Sequence, residues 1–307
     1  MNKNYFSFKD GRAFAKVVFT RFKKSKHYKN KKTKTKILFI SEKKDKDAQS
    51  DMIFSNDVGY ANYYNVDCVR KCIMTNTFPP QELEPLYKAV VRSTKKERQR
   101  SFICEDCKLY PVPNLTAREC IYVAGPSGSG KSTYAYNYAL NYKLTHPDND
   151  IFLFSRVDED VFDDIENIKR LKMDMSLIEN QVSAQSFKDC LVIFDDTDTI
   201  FDKKVRDYIN KIKNDILEIG RHNNIYCAIT SHLLTKYGET RTIMNECHVI
   251  TVFPHGGGID QIRYCLMKYF GLSKKDVSEL LRLDSRWVSV MKTYPKVIFY
   301  ENGAYFL

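Results

Sequence analysis

Apolar and polar segments alternate regularly in the second half of the chain. Five short apolar runs, each followed by a polar or amphipathic connection, read CIYVAG, IFLFS, CLVIFDD, IYCAITS and CHVITVF. Continuous apolar runs of this kind are typical of strands buried on both faces, and helices in the connections supply that cover. The pattern predicts an α/β fold with a mostly parallel sheet flanked by helices.

The end of the chain predicts further elements. A helix is expected over 259–270, and Ser273 with Asp276 is expected to cap the helix that follows. Closing strands are expected near 287–291, 297–300 and 304–307. A turn at 301–303 joins the last two strands, so this tail is expected to complete the sheet.

The chain before residue 119 is organised differently. Residues 1–80 contain short β-like runs at 17–19 and 37–40 beside a lysine-rich stretch, which predicts a small basic N-terminal module. Residues 81–118 are interpreted as a connector, and residues 119–307 as the main domain. The role of the N-terminal module is left open by its sequence.

Composition narrows the class of protein. With 307 residues, 43% of them hydrophobic and 28% charged, the chain is typical of a globular protein and unlike a disordered or fibrous one. No apolar run approaches the roughly 18 residues of a membrane span, and no signal peptide is apparent, so an intracellular location is expected. Nine irregularly spaced cysteines then indicate reduced thiols.

Positive charge is concentrated near the N-terminus. The net charge is +11, and the run KKSKHYKNKKTKTK within residues 12–46 contains no acidic residue. Such a run favours an anionic partner, because lysines neutralise phosphates and release their counterions, as in nucleic-acid binding. The alternative is a solvated segment that only keeps the protein soluble.

A glycine-rich sequence lies directly between an apolar run and a predicted helix. GPSGSGKS at 125–132 satisfies the G-x-x-x-x-G-K-[ST] pattern of a phosphate-binding loop, or P-loop. Its glycines let successive backbone amides point at phosphates, Lys131 reaches the β- and γ-phosphates of ATP, and the Ser132 hydroxyl binds Mg²⁺. The predicted nucleotide-binding residues are Gly125, Pro126, Ser127, Gly128, Ser129, Gly130, Lys131, Ser132 and Thr133.

Two carboxylates follow the apolar run at 191–194. In a parallel sheet the carboxyl ends of the strands are where ligands bind. Asp195 is predicted to hold Mg²⁺, and Asp196 is predicted to orient the attacking water, which together form a Walker B pattern. The alternative interpretation of the two acids is helix capping or an ordinary surface position.

Polar residues also end the next predicted strand. Ser231 and His232 are predicted to sense the γ-phosphate, although His232 also suits a solvated surface position. Arg221, just before that strand, is the first candidate for an arginine finger, a cation delivered to the γ-phosphate. Arg241 is the second candidate, and for both arginines the alternative is a surface ion pair or a helix C-terminal charge.

Four cysteines have spacings that suit a structural zinc site. The residues are Cys68, Cys72, Cys104 and Cys107. Their C-x₃-C and C-x₂-C spacings would supply four thiolates. The spacing of the first pair also places both thiols on one helix face, and core packing is the preferred interpretation.

The order of these motifs resembles the poxvirus-type genome-packaging ATPases of large DNA viruses, within the FtsK/HerA group of motors. GPSGSGKST, VIFDD, GRHNN, TSH, TRTIMNE and SRWVSVMKTYP carry the resemblance, which covers residues 120–307. It implies a RecA-like P-loop NTPase core, a homo-oligomeric ring, double-stranded DNA as substrate, and capsid or portal-type partners in a virus factory or virion. By this resemblance Lys131, Asp195 and Asp196 are the Walker residues, and Ser231 or His232 is the sensor. The usual Glu of the group is replaced by Asp196.

These observations lead to one main function and two alternatives. The main prediction is an ATPase motor that couples Mg-ATP hydrolysis to the movement of double-stranded DNA. A nucleoside or nucleotide kinase would also use GPSGSGKST, with the region 158–179 read as a helical acceptor lid. A non-hydrolysing, ATP-gated DNA-binding scaffold would use the same loop with Asp196 as a poor activator of water.

Overall fold

The computed structural model describes residues 4–19, 33–48, 100–104, 107–236, 238, 240–256 and 258–307. It divides the chain into two compact units, Met1–Leu109 with Asn302–Leu307, and Tyr110–Glu301. Three parts of the chain discussed above lie outside the described residues: most of the predicted connector, Cys68 with Cys72, and residues 23–32 of the lysine-rich run. The three-part division expected from the sequence stays a prediction.

The first unit contains antiparallel strands. They are β1 (Tyr5–Ser7), β2 (Arg12–Phe19), β3 (Lys34–Ser41) and β4 (Ser101–Ile103), while β5 (Cys107–Pro111) crosses from the first unit into the second. Strand β3 pairs with both β1 and β2. Phe14 and Leu38 are buried on these strands, and the two β-like runs expected near the N-terminus fall within β2 and β3.

The second unit is an α/β layer structure. Its strands are β6 (Cys120–Ala124), β7 (Asp150–Ser155), β8 (Ile168–Lys172), β9 (Cys190–Phe194), β10 (Ile225–Ser231), β11 (Val249–Val252), β12 (Val288–Met291) and β13 (Val297–Tyr300). Its helices are α1 (Lys131–Thr145), α2 (Ser176–Glu179), α3 (Lys203–Ile219), α4 (Arg241–Glu246), α5 (Ile259–Tyr269) and α6 (Lys274–Leu280).

The strands of the second unit follow the order β13-β12-β11-β6-β10-β9-β7-β8. Neighbouring strands from β11 to β8 are parallel, whereas β12 runs antiparallel to both β11 and β13. The predicted α/β fold with a mostly parallel sheet is therefore confirmed. The last strand, β14 (Gly303–Phe306), pairs antiparallel with β4 inside the first unit.

Burial explains why the apolar runs became central strands. Every residue of β6, β9 and β10 is buried, so neither face of these strands reaches water. Helix α1 buries Tyr138 and Tyr142, and α3 buries residues such as Ile209 and Ile216, which lie seven positions apart on one helical face. The helices thus cover the sheet and leave the strand ends free to carry polar side chains.

One region was predicted incorrectly. Residues 158–179, read as helical in the kinase interpretation, form a short 3₁₀ turn at Val161–Asp164, the edge strand β8 and the four-residue α2. Strand β8 has the sequence IKRLK with no fully buried residue, so it lacks the apolar run that marks a central strand. Arg170 on β8 contacts Asp160 and Asp163 at 3.0 and 2.7 Å.

The elements expected after residue 254 are confirmed with small shifts. Helix α5 spans Ile259–Tyr269, and Ser273 and Asp276 form a capping box at the start of α6.

No helix within the described parts of the chain has both the length and the apolar character needed to cross a bilayer.

Candidate functional site

The loop between β6 and α1 makes a tight turn that is closed by backbone hydrogen bonds. Gly128 and Gly130 have φ angles of 73° and 109°, which lie in the left-handed region that glycine adopts without strain. The Ser129 amide donates to the Pro126 carbonyl at 3.2 Å, and the Gly125 amide donates to the Ser231 carbonyl at 3.1 Å. The loop is therefore tied to the end of β10 and delivers the chain into the first turn of α1.

Gly125 is fixed by close packing as well. A Cβ atom built at this position would lie 2.6 Å from the Phe253 ring and 2.9 Å from the Ser129 hydroxyl. The Ser129 Oγ is buried and has no hydrogen-bond partner among the described residues. Only glycine lets the loop sit this close to the end of β11, so the first glycine of the motif has a packing role here.

Lys131 lies beneath this loop and is 5% exposed. Its ammonium lies 3.3 Å from the Pro126 carbonyl, 3.7 Å from Asp196 Oδ1 and 3.3 Å from His232 Nδ1. When the lysine donates to Nδ1, His232 carries its hydrogen on Nε2, and that atom lies 3.0 Å from Asp196 Oδ2. Three of the residues predicted to be catalytic thus contact one another.

Asp195 lies at the end of β9 and is bonded to the neighbouring strand. Thr230 donates its hydroxyl to Asp195 Oδ1 at 2.7 Å. Burial raises the pKa of Asp195 to about 6, the Thr230 hydrogen bond opposes this effect, and the negative charge of Asp196 adds to it. Because desolvation and a neighbouring negative charge both disfavour its ionised form, a cation bound beside the half-buried Asp195 would stabilise that form.

Asp196 has an unusual backbone conformation. Its φ and ψ angles of 45° and 40° are left-handed, a region that aspartate tolerates better than most side chains. The Asp196 amide donates to Thr230 Oγ1 at 2.9 Å, and the Asp196 carbonyl accepts the Thr199 amide at 3.1 Å. This turn directs the Asp196 carboxylate toward Lys131 and His232, away from the line of β9.

Asp198 is a site residue that the sequence prediction missed. Its Oδ2 accepts the Ser231 hydroxyl at 2.9 Å, the His232 amide at 3.0 Å and the Leu233 amide at 3.3 Å. Asp198 therefore fixes the turn in which the predicted sensor residues Ser231 and His232 lie. In the sequence, Asp198 could be noticed only as the third acid of DDTD. Its contacts with the turn after β10 become visible only once β9 is paired with β10.

The two arginine-finger candidates lie apart from this cluster. Arg221 is exposed in the 3₁₀ turn Gly220–Asn223, which precedes the first residue of β10. The phosphate-binding loop meets the last residue of β10, and seven residues at about 3.3 Å each separate the two ends. Arg241 is exposed at the first residue of α4. The structure does not bring Arg221 to the loop of its own chain, and both roles stay predictions.

Arg286 is the second residue that sequence reasoning did not assign to the site. Its Nε donates to the Ser129 carbonyl at 2.9 Å, and its Nη2 donates to the Gly128 carbonyl at 3.3 Å. The segment SRW that contains it was noted in the sequence, but nothing local to that segment indicates contact with a loop more than 150 residues earlier.

A cavity of about 140 Å³ adjoins the loop on the side of β11. His232 borders this cavity together with Pro126, Leu234 and Phe253. The His232 side chain is 32% exposed, while its two nitrogens contact Lys131 and Asp196.

The cysteines show mainly a packing role where they are described. Five of them lie buried in the second unit: Cys120, Cys190, Cys227, Cys247 and Cys265. In the first unit, the Cys107 thiol donates to the Cys104 carbonyl at 3.8 Å. Over the described ranges of the chain no group of three or more His, Cys, Asp or Glu side chains is arranged to hold a metal ion. Because Cys68 and Cys72 are outside those ranges, the zinc site stays an untested prediction.

The raised pKa of Asp195 makes a prediction about stability. The folded state binds this proton more tightly than the unfolded chain does, so stability is lost as the pH rises from about 4 to about 6. Asp195→Asn removes the charge of this half-buried side chain and keeps an oxygen for Thr230. We expect this variant to be more stable than the wild type at pH 7.5, by roughly 2 kcal/mol, with little difference at pH 4.

Urea unfolding at the two pH values measures this effect. Asp207→Asn, which neutralises an exposed carboxylate on α3, is the control and is expected to leave stability unchanged at both. If Asp195→Asn were less stable than the wild type at pH 7.5, the ionised Asp195 carboxylate would not destabilise the folded state.

Comparison with known proteins gives one sequence relative and several structures. The chain is 43% identical over 227 residues to protein V3 of Sputnik virophage, itself described as uncharacterized, covering 71% of this chain and 89% of the relative. No protein-family model matches the chain. The relative is a viral protein, in keeping with the resemblance to viral proteins noted from the motifs.

Two solved structures illustrate the structural likenesses. The genome packaging NTPase B204 of Sulfolobus turreted icosahedral virus 2, in complex with AMPPCP, has a TM-score of 0.41 and 13% identity, with 60% of this chain and 97% of that chain covered. The pCW3 conjugation coupling protein TcpA, with ATPγS, has a TM-score of 0.42 and 10% identity, with 93% and 77% covered.

Proposed function

We propose that this chain, which belongs to the family of protein V3 of Sputnik virophage, is an ATPase that drives the movement of double-stranded DNA. The observation that carries the proposal is the contact of Lys131 with Asp196 and His232 directly beneath a curled glycine loop, with Asp195 on the adjacent strand end. A phosphate-binding cation, two carboxylates and a polar sensor in one place are what phosphoanhydride hydrolysis requires.

The loop and Lys131 supply the binding of the triphosphate. Backbone amides of the glycine-rich turn and the positive end of α1 attract the phosphates, and the Lys131 ammonium neutralises the charge that develops on the γ-phosphate. Lys131 is held by the Pro126 carbonyl and Asp196, so nucleotide binding exchanges these contacts for phosphate oxygens.

Ser132 and Asp195 fit the role of Mg²⁺ ligands. Ser132 is half-buried on the first turn of α1, and Asp195 is a half-buried carboxylate whose pKa is raised by desolvation and by the negative charge of Asp196. Bound there, Mg²⁺ would neutralise charge on the β- and γ-phosphates. The Thr230 hydroxyl keeps the Asp195 side chain in one orientation.

Asp196 is the residue that we assign to the attacking water. Its carboxylate lies between the Lys131 ammonium and the His232 ring, and its left-handed turn places it beyond the end of β9. A carboxylate in this position accepts a hydrogen bond from water and orients its lone pair toward phosphorus. His232 holds the carboxylate through Nε2, and Asp198 holds the backbone of His232.

Oligomerisation into a ring would complete the site. Arg221 lies at the opposite edge of the sheet from its own loop, so it serves as an arginine finger only if it reaches the loop of a second copy.

The net charge of +11 supports an anionic polymer as the substrate on which the motor acts. We further propose capsid or portal-type partners and a place in the virus factory or virion, in keeping with the viral relative.

An ATPase assay with and without duplex DNA tests this function. We expect phosphate release from ATP to rise when duplex DNA is added, and the stimulation to weaken as salt rises because the contacts are to phosphates. Heparin serves as the matched polyanion control and is expected not to stimulate turnover. Turnover indifferent to DNA across a range of salt would contradict the motor.

The same assay separates the two alternative functions. With γ-labelled ATP and a mixture of nucleosides and nucleoside monophosphates, a kinase transfers the label to an acceptor, whereas a motor releases only inorganic phosphate. Tight ATP binding without phosphate release, even with DNA present, would indicate an ATP-gated scaffold.

A further inference from the structure

The segment 285–287, just before β12, contacts the outer side of the phosphate-binding loop. Arg286 donates from Nε to the Ser129 carbonyl at 2.9 Å and from Nη2 to the Gly128 carbonyl at 3.3 Å. Its guanidinium also lies against Gly130, since a Cβ atom built on that glycine would be 3.2 Å from Nε and 3.3 Å from Cζ. One side chain thus contacts the last three residues of the loop before α1.

Arg286 is held in place by contacts that do not involve the loop. Its own amide donates to Glu301 Oε2 at 2.6 Å, and the Ser285 hydroxyl donates to the Trp287 carbonyl at 2.7 Å. The Trp287 ring packs edge-on against Tyr134 of α1, with ring centroids 5.0 Å apart. The base of the Arg286 side chain is therefore anchored both to Glu301 and to the helix that follows the loop.

The direction of the loop carbonyls decides the direction of its amides. In a planar trans peptide the carbonyl and the N–H point to opposite sides. Because the Ser129 carbonyl faces Arg286, the N–H of Gly130, which shares that peptide unit, faces away from Arg286. A loop that binds phosphate needs its amides turned to the anion and its carbonyls turned outward.

The glycines of the loop make it entropically unfavourable to hold these peptide units in one orientation. Gly128 and Gly130 both adopt positive φ angles, and glycine has the largest backbone freedom to lose when a loop is fixed. A planar guanidinium donates two hydrogen bonds in a fixed fork, which a lysine ammonium cannot reproduce with the same geometry. Arginine is thus suited to restrain two successive peptide units at once.

We propose that Arg286 is a positioning residue for the nucleotide: it holds the Gly128 and Ser129 carbonyls outward and so keeps the Gly130 amide turned toward the phosphates. Arg286 acts on the loop and does not touch the reacting atoms. The inference rests on the proposed ATP site and adds to it a residue that links the segment before β12 to the geometry of the loop.

Equilibrium binding of ATP to purified full-length variants tests the proposal. We expect Arg286→Ala to weaken ATP binding by about 10-fold, the size of effect produced by losing charge-assisted hydrogen bonds. Arg286→Lys should lie between the wild type and the alanine variant. The KM for ATP should rise with the dissociation constant, while kcat at saturating ATP should stay within about threefold, because the groups in contact with the γ-phosphate are unchanged.

Two further measurements distinguish positioning from a purely structural role. Hydrogen exchange of the segment 125–131, measured without nucleotide, should be faster in Arg286→Ala than in the wild type. Arg282→Ala removes another exposed arginine of the same region and should change neither exchange nor binding. Arg286→Gln replaces the alanine variant if the latter does not fold.

The outcomes separate this proposal from the proposed function. If the wild type binds ATP and Arg286→Ala binds it equally well, with unchanged exchange of the loop, the positioning role is wrong and the ATPase proposal stands. If the wild type does not bind ATP, both proposals fail. Weaker binding together with faster exchange in the Arg286 variants, and neither change in Arg282→Ala, supports the positioning role.

Discussion

Replacing Lys131 by alanine is expected to reduce kcat/KM for ATP hydrolysis by at least about 100-fold, as is typical when a group that stabilises developing charge is removed. The Lys131 side chain is 5% exposed, and its ammonium lies 3.3 to 3.7 Å from the Pro126 carbonyl, Asp196 and His232. Alanine leaves the phosphates without this cation and leaves Asp196 as an uncompensated negative charge beside them. Both effects oppose hydrolysis.

A phosphate-release assay at saturating and at low ATP measures this loss. Lys143→Ala is the matched control, because Lys143 lies at the other end of α1 and donates to the Asn149 carbonyl at 2.8 Å. Its turnover should equal that of the wild type even if its stability falls slightly. Lys131→Ala with near-normal turnover would remove the central assumption of the ATPase proposal.

Replacing Asp196 by asparagine is expected to slow hydrolysis by about 100-fold while ATP binding is retained or strengthened. Asparagine has the same shape and can still accept the His232 Nε2 hydrogen, which lies 3.0 Å from Asp196 Oδ2. It is a weaker acceptor for the attacking water than a carboxylate. Removing a negative charge next to Lys131 should also favour the anionic triphosphate.

Single-turnover hydrolysis, combined with equilibrium ATP binding, separates the two effects. Asp207→Asn, an exposed neutralisation on α3, is the control and should leave both quantities unchanged. If Asp196→Asn lost ATP binding as well as turnover, Asp196 would be needed for binding and not for the water. If the wild type and Asp196→Asn turned over equally slowly, the ATP-gated scaffold would be the better interpretation.

These two variants act on one contact network. Lys131 lies within 3.7 Å of Asp196, and both residues contact His232. Their effects are therefore not expected to add, because removing either residue changes the charge and orientation of the other. The double variant Lys131→Ala with Asp196→Asn should lose little activity beyond the loss of the Lys131 variant alone.

The sequence by itself determined the central strands and the phosphate-binding loop. The runs that became β6 and β9 are apolar throughout, and β10 is apolar up to Thr230, which is the composition expected of strands buried on both faces. The glycine loop is equally local, because its curl depends on positive φ angles at Gly128 and Gly130 within a few residues of the chain. The position of Asp195 and Ser231 at the same edge of the sheet followed from the rule for parallel strands.

The tertiary structure alone decided which of the polar side chains at that edge contact one another. Asp198 reaches the Ser231 and His232 turn, and Arg286 reaches the loop carbonyls, through contacts that join residues far apart in the chain. The strand β8 was missed because an edge strand carries no apolar run, and Arg221 was separated from its own loop by the full length of β10. Apolar periodicity and backbone freedom depend on residues that are neighbours in the chain, so the sequence reveals them. Strand register and long-range side-chain contacts form only when the whole sheet is assembled.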